Sequence, residues 1–280
     1  MAIPILHTWK QYYGNPHEGL GSSYERIILN RKLLQLQSKY KFSTVLEVPS
    51  FGFTGLSGIN SVALAKKGCA VTLGDHDQER IDLIRKTWAD LNLPLQIDYL
   101  EQYGKLPYAD QQFEMSWNFS ALWFAESLSD FLHELTRVTS RLILLCVPNR
   151  SGIGYLSQKY QGREELDKYL KECNILPDNI LHEMDELGWK CIDRAYIDCP
   201  PWPDIGMLKE EFLGKIGIKI EKKEKEVQEV TILNYYKGLD PEFEDKMLSF
   251  SILENYAPVF WKRIWAHHRY FLFVPRVNHE

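Results

Sequence analysis

The stretch Thr44–Ala65, TVLEVPSFGFTGLSGINSVALA, constrains this chain more than any other. It opens as a buried strand, Val45-Leu46-Glu47-Val48, and passes through a loop holding Gly52, Gly55 and Gly58. It closes as an apolar-periodic helix from about Asn60, with Val62, Ala63 and Ala65 available to pack inward. Strand, glycine loop and helix in that order form the opening turn of a doubly wound α/β domain. The crossover helix must start close to the strand end, and a ligand must approach the backbone there. Both requirements favour residues without a Cβ, and the free N–H groups of the helix start attract polar or anionic ligand groups.

The remaining periodicity extends the pattern. Tyr24–Tyr40 is helical, with Ile27, Ile28, Leu33, Leu34 and Leu36 available to cover a sheet. Strands are expected at Gly68–Asp75, Leu95–Leu100, Phe113–Trp117 and Arg141–Val147, the last a continuous apolar run. Helices are expected at Gln78–Leu91 and Ser127–Thr139 between them. Helices over Tyr155–Cys173 and Asn179–Leu187 lead to a strand at Gly188–Ile197. Cys199-Pro200-Pro201-Trp202-Pro203 ends that regularity, and an aromatic-rich block runs to Trp265. Within it Lys219–Glu229 is a mixed-charge run, read as a solvated helix or loop. His268–Pro275 is the last strand. The expected fold is therefore α/β: a doubly wound, mostly parallel seven-stranded sheet, Rossmann-like, with an antiparallel last strand and a helical, aromatic insertion before it. Four regions follow: a lead-in and helix over 1–40, the core over 41–199, the aromatic insertion over 200–265 and the final core strand over 266–280.

Composition excludes several classes. A formal net charge of -5 in 280 residues gives no reason to expect nucleic acid or an anionic membrane surface as partner. No apolar run approaches the roughly 20 residues needed to span a bilayer. The start, Met-Ala-Ile-Pro-Ile-Leu-His, lacks the features of a signal peptide. Cys69, Cys146, Cys173, Cys191 and Cys199 are scattered and odd in number, which suggests neither a zinc knuckle nor a disulfide framework. A reduced cytoplasmic protein is the expectation. Oligomeric state is not legible.

Parallel sheets place ligands beyond the carboxyl ends of their strands. Glu47, Asp75, Glu101, Asn118 and Asn149 stand at or just past successive strand ends and should converge on one rim. An acid ending the second strand can accept hydrogen bonds from a ribose diol, whether in a nicotinamide cofactor or in S-adenosylmethionine (SAM). The G-x-G-x-x-G dinucleotide fingerprint is absent, the glycines being spaced Gly52, Gly55, Gly58. A carboxylate at Glu47 would repel phosphates but attract the ammonium group of SAM.

These residues resemble the class I SAM-dependent methyltransferases. Val45-Leu46-Glu47, the glycine loop and Asn60-Ser61-x-x-Leu64-Ala65 resemble the family's first motif, and Asp75-x-Asp77-x-x-x-Ile81 its second. Leu106–Glu114, LPYADQQFE, resembles the L-P-F-x-D-x-S-F-D segment of the branch that includes quinone-biosynthesis methyltransferases. The sequence departs from the pattern in the loop. Pro49 replaces the first glycine, and Gly58 lies eleven positions after Glu47 where six is usual. The resemblance implies methyl transfer from SAM to a small organic molecule. It implies cofactor contacts from Glu47, Gly52, Gly55, Gly58, Asp75, His76, Glu101, Gln102 and Asn118. Trp123, Asn149 and Trp202 are candidate acceptor contacts, and the aromatic insertion is the expected wall of the acceptor pocket. His267 and Tyr155 are the candidates for a base. Neighbours on a strand point to opposite faces, so His267 and His268 cannot chelate together, and no metal is expected. Asn118-Phe119-Ser120-Ala121 is not the N-P-P-Y signature of amino-group methylation. Two other readings stand beside this one: a binding or interaction module on the same fold without catalysis, and a nucleotide-cofactor oxidoreductase.

Overall fold

A computed structural model describes residues 9–52, 55–161, 170–202 and 231–276. A short helix α1 (Gln11–Gly14) precedes the long helix α2 (Gly19–Tyr40). The core then runs β1 (Thr44–Glu47), α3 (Val62–Lys66), β2 (Ala70–Asp75), α4 (Gln78–Asp90), β3 (Gln96–Tyr99), β4 (Phe113–Phe119), α5 (Leu128–Val138) and β5 (Thr139–Pro148). Helices α6 (Ile153–Gln161) and α7 (Pro177–Glu186) lead to β6 (Trp189–Ile197). Four short helices follow, α8 (Ile232–Tyr236), α9 (Phe243–Leu248), α10 (Ile252–Tyr256) and α11 (Val259–Trp265), before β7 (His268–Pro275). No helix among the described residues is long and apolar enough to cross a membrane.

The sheet has the order β3-β2-β1-β4-β5-β7-β6. β7 runs antiparallel to both its neighbours, and the other pairings are parallel. The expected seven-stranded, mostly parallel sheet with an antiparallel last strand is the observed one. Strand alternation divides the core into two layers. Val45, Leu144, Cys146 and Leu272 pack on the face that α2, α3 and α4 cover. Leu46, Ile143, Leu145 and Phe271 face the side that α5 and α7 cover. Side chains of successive strand residues point to opposite faces, so a strand buried on both sides must be apolar throughout, as β5 is. Asp77 caps α4 by accepting from the Arg80 N–H at 3.0 Å, and Ser127 caps α5 by accepting from Asp130 N–H at 3.2 Å.

Three local expectations change. The helix after the glycine loop begins at Val62, because the Asn60 and Ser61 side chains turn back to bond Glu47 instead of starting a regular turn. The expected Tyr155–Cys173 helix is described only as α6 and a 3-10 turn at Glu172–Ile175; residues 162–169 lie outside the described residues. The charge run Lys219–Glu229 also lies outside them. Part of the described aromatic block turns into the core and away from the rim. Trp202, Ile232, Tyr236, Phe243 and Met247 are buried in the same core layer as α2. Trp202 meets Tyr24 edge-on with ring centres 5.6 Å apart, and Tyr236 Oη accepts from Asn30 Nδ2 at 2.9 Å.

Leu144 lies in mid-sheet, opposite Trp117 of β4 and Leu272 of β7. Leu144→Ala should lower unfolding free energy by about 2–5 kcal/mol, the cost of a core cavity. Urea unfolding followed by circular dichroism measures it, with the denaturant slope unchanged.

Candidate cofactor and acceptor site

The carboxyl ends of β1, β2 and β4 meet beneath the glycine loop. Glu47 is buried there; Asn60 Nδ2 donates to Oε1 at 2.9 Å and Ser61 Oγ to Oε2 at 2.6 Å. Burial pushes the Glu47 carboxyl up to about 7, outweighing those two bonds and the charge of Arg26. Arg26 in turn donates to Asn60 Oδ1 at 2.6 Å and to the Leu56 carbonyl at 3.0 Å, while pairing with buried Glu18. Asp75, also buried, accepts from Arg80 Nε at 2.9 Å, from Arg80 Nη2 at 2.5 Å and from Ser50 Oγ at 2.6 Å. The Arg80 guanidinium lies against the rings of Trp9 and Phe51, at 5.1 and 4.8 Å. Phe51 is itself buried, with its ring centre 4.9 Å from His76 and 5.0 Å from Phe124.

Gly52 has φ of +124°, and a Cβ there would lie 2.1 Å from the Phe119 carbonyl oxygen. The loop thus lies directly on the end of β4. Gly58, at φ +71°, presses on Ile84 of α4, so it serves helix packing rather than ligand approach. Gly55 sits against the Glu18 carboxylate, whose Oε1 accepts from the Leu56 N–H at 2.8 Å.

Beyond Phe51 a cavity of about 390 Å³ opens at the ends of β2, β3 and β4. His76, Glu101, Gln102, Tyr103 and Phe124 line it, so three of the expected cofactor residues share it. His76 Nδ1 lies 2.6 Å from Tyr103 Oη, and burial lowers the imidazole's proton affinity. Asn118, at the end of β4, is fully buried, and neither amide atom has a hydrogen-bond partner; the hydroxyls of Ser57 and Ser120 are in the same condition. A larger depression, about 910 Å³, lies between Trp189 and Arg276 at the amino end of β6, away from this rim.

The acceptor candidates do not gather here. Asn149 Nδ2 donates to the carbonyls of Arg263 and Ala266 and ties β5 to α11. Trp123 is buried, its Nε1 donating to the Ser120 carbonyl at 2.8 Å. Tyr155 donates to Glu172, and burial raises its hydroxyl pKa. Trp202 belongs to the core. Of the two base candidates, Tyr155 stacks on Trp123 with ring centres 6.5 Å apart, and His267 has Nδ1 2.6 Å from Asp198 Oδ2 just past the end of β6. His268, Glu25 and Asp198 gather beside it. Sequence reading missed Arg80, Phe51, Glu25 and Asp198. Asp198 carried a readable signal, an acid just past a strand end like Asp75; Glu25 and Arg80 are helix residues whose targets lie outside their own helices.

The Glu47 carboxyl sets a pH dependence. Its pKa rises on folding, so the folded state holds the proton more tightly, and its contribution is full below the unfolded value and lost as pH rises through 7. Between pH 4.5 and 8 the wild type should lose about 3 kcal/mol of stability that Glu47→Gln retains, at about 1.4 kcal/mol per unit. Urea melts of both proteins across that range check it; parallel curves would show an ordinary carboxylate.

Residues 53–142 match the family model described as "Methyltransferase domain". No curated protein sequence matches the chain. Solved structures share its fold at low identity. Magnesium protoporphyrin IX methyltransferase (ChlM) from Synechocystis PCC 6803, with bound SAH, is 8% identical, covering 90% of this chain and 84% of its own at a TM-score of 0.54. MccD protein is 12% identical, covering 89% and 96% at 0.52. The [4+2]-cyclase SpnF is 12% identical, covering 89% and 81% at 0.51. The matched segment and the shared fold agree: residues 53–142 match a methyltransferase domain, a match that points to an enzyme using SAM, and the sheet around them has the fold of these solved structures.

Proposed function

We propose that this protein transfers a methyl group from SAM to a small organic molecule. The observation that carries the reading is the rim cavity, lined by His76, Glu101 and Gln102 and set inside the segment that matches the methyltransferase model. The residues present fit the cofactor. Glu101 and Gln102 offer polar edges to an adenine, and the rings of His76 and Phe124 offer it a wall. Asp75 suits a ribose diol and Glu47 an ammonium group. The orphaned Asn118 amide is a buried group that a polar ligand would satisfy. SAM supplies an electrophilic methyl group when bound. The protein's part is then to orient an acceptor and exclude water, which can lower a barrier by roughly 7–11 kcal/mol. His267 is the proposed base for an acceptor that keeps its proton.

Asp75 and Glu47 are bonded to Arg80, Ser50, Asn60 and Ser61, so the ribose and amino acid halves of the cofactor reach them only when Phe51 and Arg80 move. The same bonds favour the second reading, a binding module without catalysis. An acceptor of small-molecule class accords with the net charge of -5. The five free cysteines accord with the cytoplasm.

Calorimetric titration with SAM and S-adenosylhomocysteine separates the readings. The wild type should bind, and Phe51→Ala should bind on the order of 10-fold tighter, because a larger fraction of molecules is open. Gln102→Ala should lose about 1 kcal/mol of affinity, roughly one hydrogen bond. No heat from the wild type or from Phe51→Ala would replace the enzyme reading with the module.

A further inference from the structure

A second polar cluster lies on the same side of the sheet. Glu25 comes from α2, Asp198 follows the end of β6, and His268 opens β7. All three are buried. One ligand atom from each lies within 4.8 Å of the others. His268 Nδ1 is 2.8 Å from Glu25 Oε1 and 3.7 Å from Asp198 Oδ2. Yet Glu25 Oε1, Asp198 Oδ1 and His268 Nδ1 make no aligned hydrogen bond. Asp198 Oδ1 has no partner and the Glu25–His268 ion pair is poorly aligned, a condition that native interiors seldom leave in one place.

Charge points the same way. Glu254 is half-buried nearby, with the charge of Lys262 beside it, its carboxylate accepting from the Cys199 N–H at 2.7 Å. Glu25 and Asp198 have ion pairs with His267 and His268 and, among the described residues, with no lysine or arginine. Two buried carboxylates thus rely on imidazoles alone for their ion pairs among the described residues, and buried charge requires a counter-charge. His267 occupies Asp198 Oδ2 at 2.6 Å and leaves Oδ1 for another partner. Metal-ligating carboxylates are commonly hydrogen-bonded in turn, as Asp198 is by His267.

We propose that Glu25, Asp198 and His268 bind a divalent cation. Two carboxylates and one imidazole suit Mn²⁺, Fe²⁺ or Zn²⁺ better than Ca²⁺, which takes oxygen ligands alone, or Cu⁺, which takes sulfur. Bonds of about 2.0–2.2 Å place ligand atoms about 3–4 Å apart, the spacing of this cluster to within a small side-chain adjustment. His268 supplies a single imidazole, so the opposed directions of His267 and His268 are no obstacle. A cleft of about 240 Å³ beside the cluster is lined by Ile28, one turn from Glu25, and by Ile197, next to Asp198, and gives a way in. His268 also packs on Phe119 at the end of β4, ring centres 4.5 Å apart. If the methyl-transfer reading holds, the ion would stand where an acceptor's oxygen could be held; the site itself does not rest on that reading.

The test uses the full chain, stripped with a chelator and titrated with MnCl₂ in the absence of SAM, free Mn²⁺ being read by electron paramagnetic resonance. One Mn²⁺ per chain is expected, displaced by Zn²⁺, with affinity lowered at least 10-fold in Glu25→Gln and in Asp198→Asn. Circular dichroism melts establish that the variants fold. Should either unfold, an anomalous scattering peak between the three side chains in Mn²⁺-soaked wild-type crystals supports the site in its place, and its absence overturns it. No binding by millimolar Mn²⁺ or Zn²⁺, or wild-type affinity in both folded variants, overturns it too, and leaves the imidazoles of His267 and His268 as the counter-charge. Because SAM is absent, failure of methyl transfer leaves this result untouched.

Discussion

The pairing of Glu18 with Arg26 fixes the loop on which the rest of the rim depends. Both side chains are fully buried, so neither charge is stable without the other. From this pair a continuous relay runs into the sheet. Glu18 accepts from Leu56 N–H, Arg26 donates to Asn60, and Asn60 donates to Glu47 at the end of β1. An ordinary strand-to-helix turn would need no such support. Here Gly58 lies eleven positions after Glu47, and the extra backbone has polar groups that must be satisfied if it is to lie inside the protein. The helix α2 therefore acts both as a lid on one face of the sheet and as the source of the charges that hold the loop down.

That dual role explains what could be read in the sequence. Elements governed by short-range periodicity were legible: β5 as an unbroken apolar run, β7 at His268–Pro275, and the alternation that gives a parallel sheet. His76, Glu101 and Gln102 reach one cavity because strand ends place them there. Elements governed by distant partners were not legible. Glu47 and Asp75 stand at their predicted strand ends, but their bonding is set by Asn60, Ser61 and Arg80, residues whose side-chain directions no spacing rule reveals. The aromatic block reads as a pocket wall from composition alone. Trp202, Ile232, Tyr236, Phe243 and Met247 instead bury in the layer of α2, while Tyr256, Val259, Phe260 and Trp261 stay exposed.

The two halves of the rim differ in how they meet the cost of buried charge. Around Asp75 the balance is complete: a carboxylate meets a guanidinium in a two-bond fork, with a hydroxyl added. Around Asp198 it is not. Burial opposes ionisation there, yet the neighbouring histidines hold Asp198 down to about 2 and the acids hold His268 up to about 9.

The complete half raises the harder question of how a ligand could enter it. Exchanging neutral hydrogen bonds is nearly neutral in net free energy, so an ammonium replacing Asn60 and Ser61 at Glu47 faces no large barrier from those bonds. A diol at Asp75 must instead join the Arg80 guanidinium, since displacing it would leave a buried carboxylate without counter-charge. The larger cost is apolar. Phe51 would leave its contacts with His76, Phe124 and the Arg80 guanidinium, and exposing such a ring costs about 1.5–3 kcal/mol. A cost of that size leaves roughly one molecule in ten to one in a hundred and fifty open, enough to tax cofactor affinity without abolishing it. The closed cleft and a SAM-binding domain are therefore compatible, and one aromatic side chain sets the distance between them.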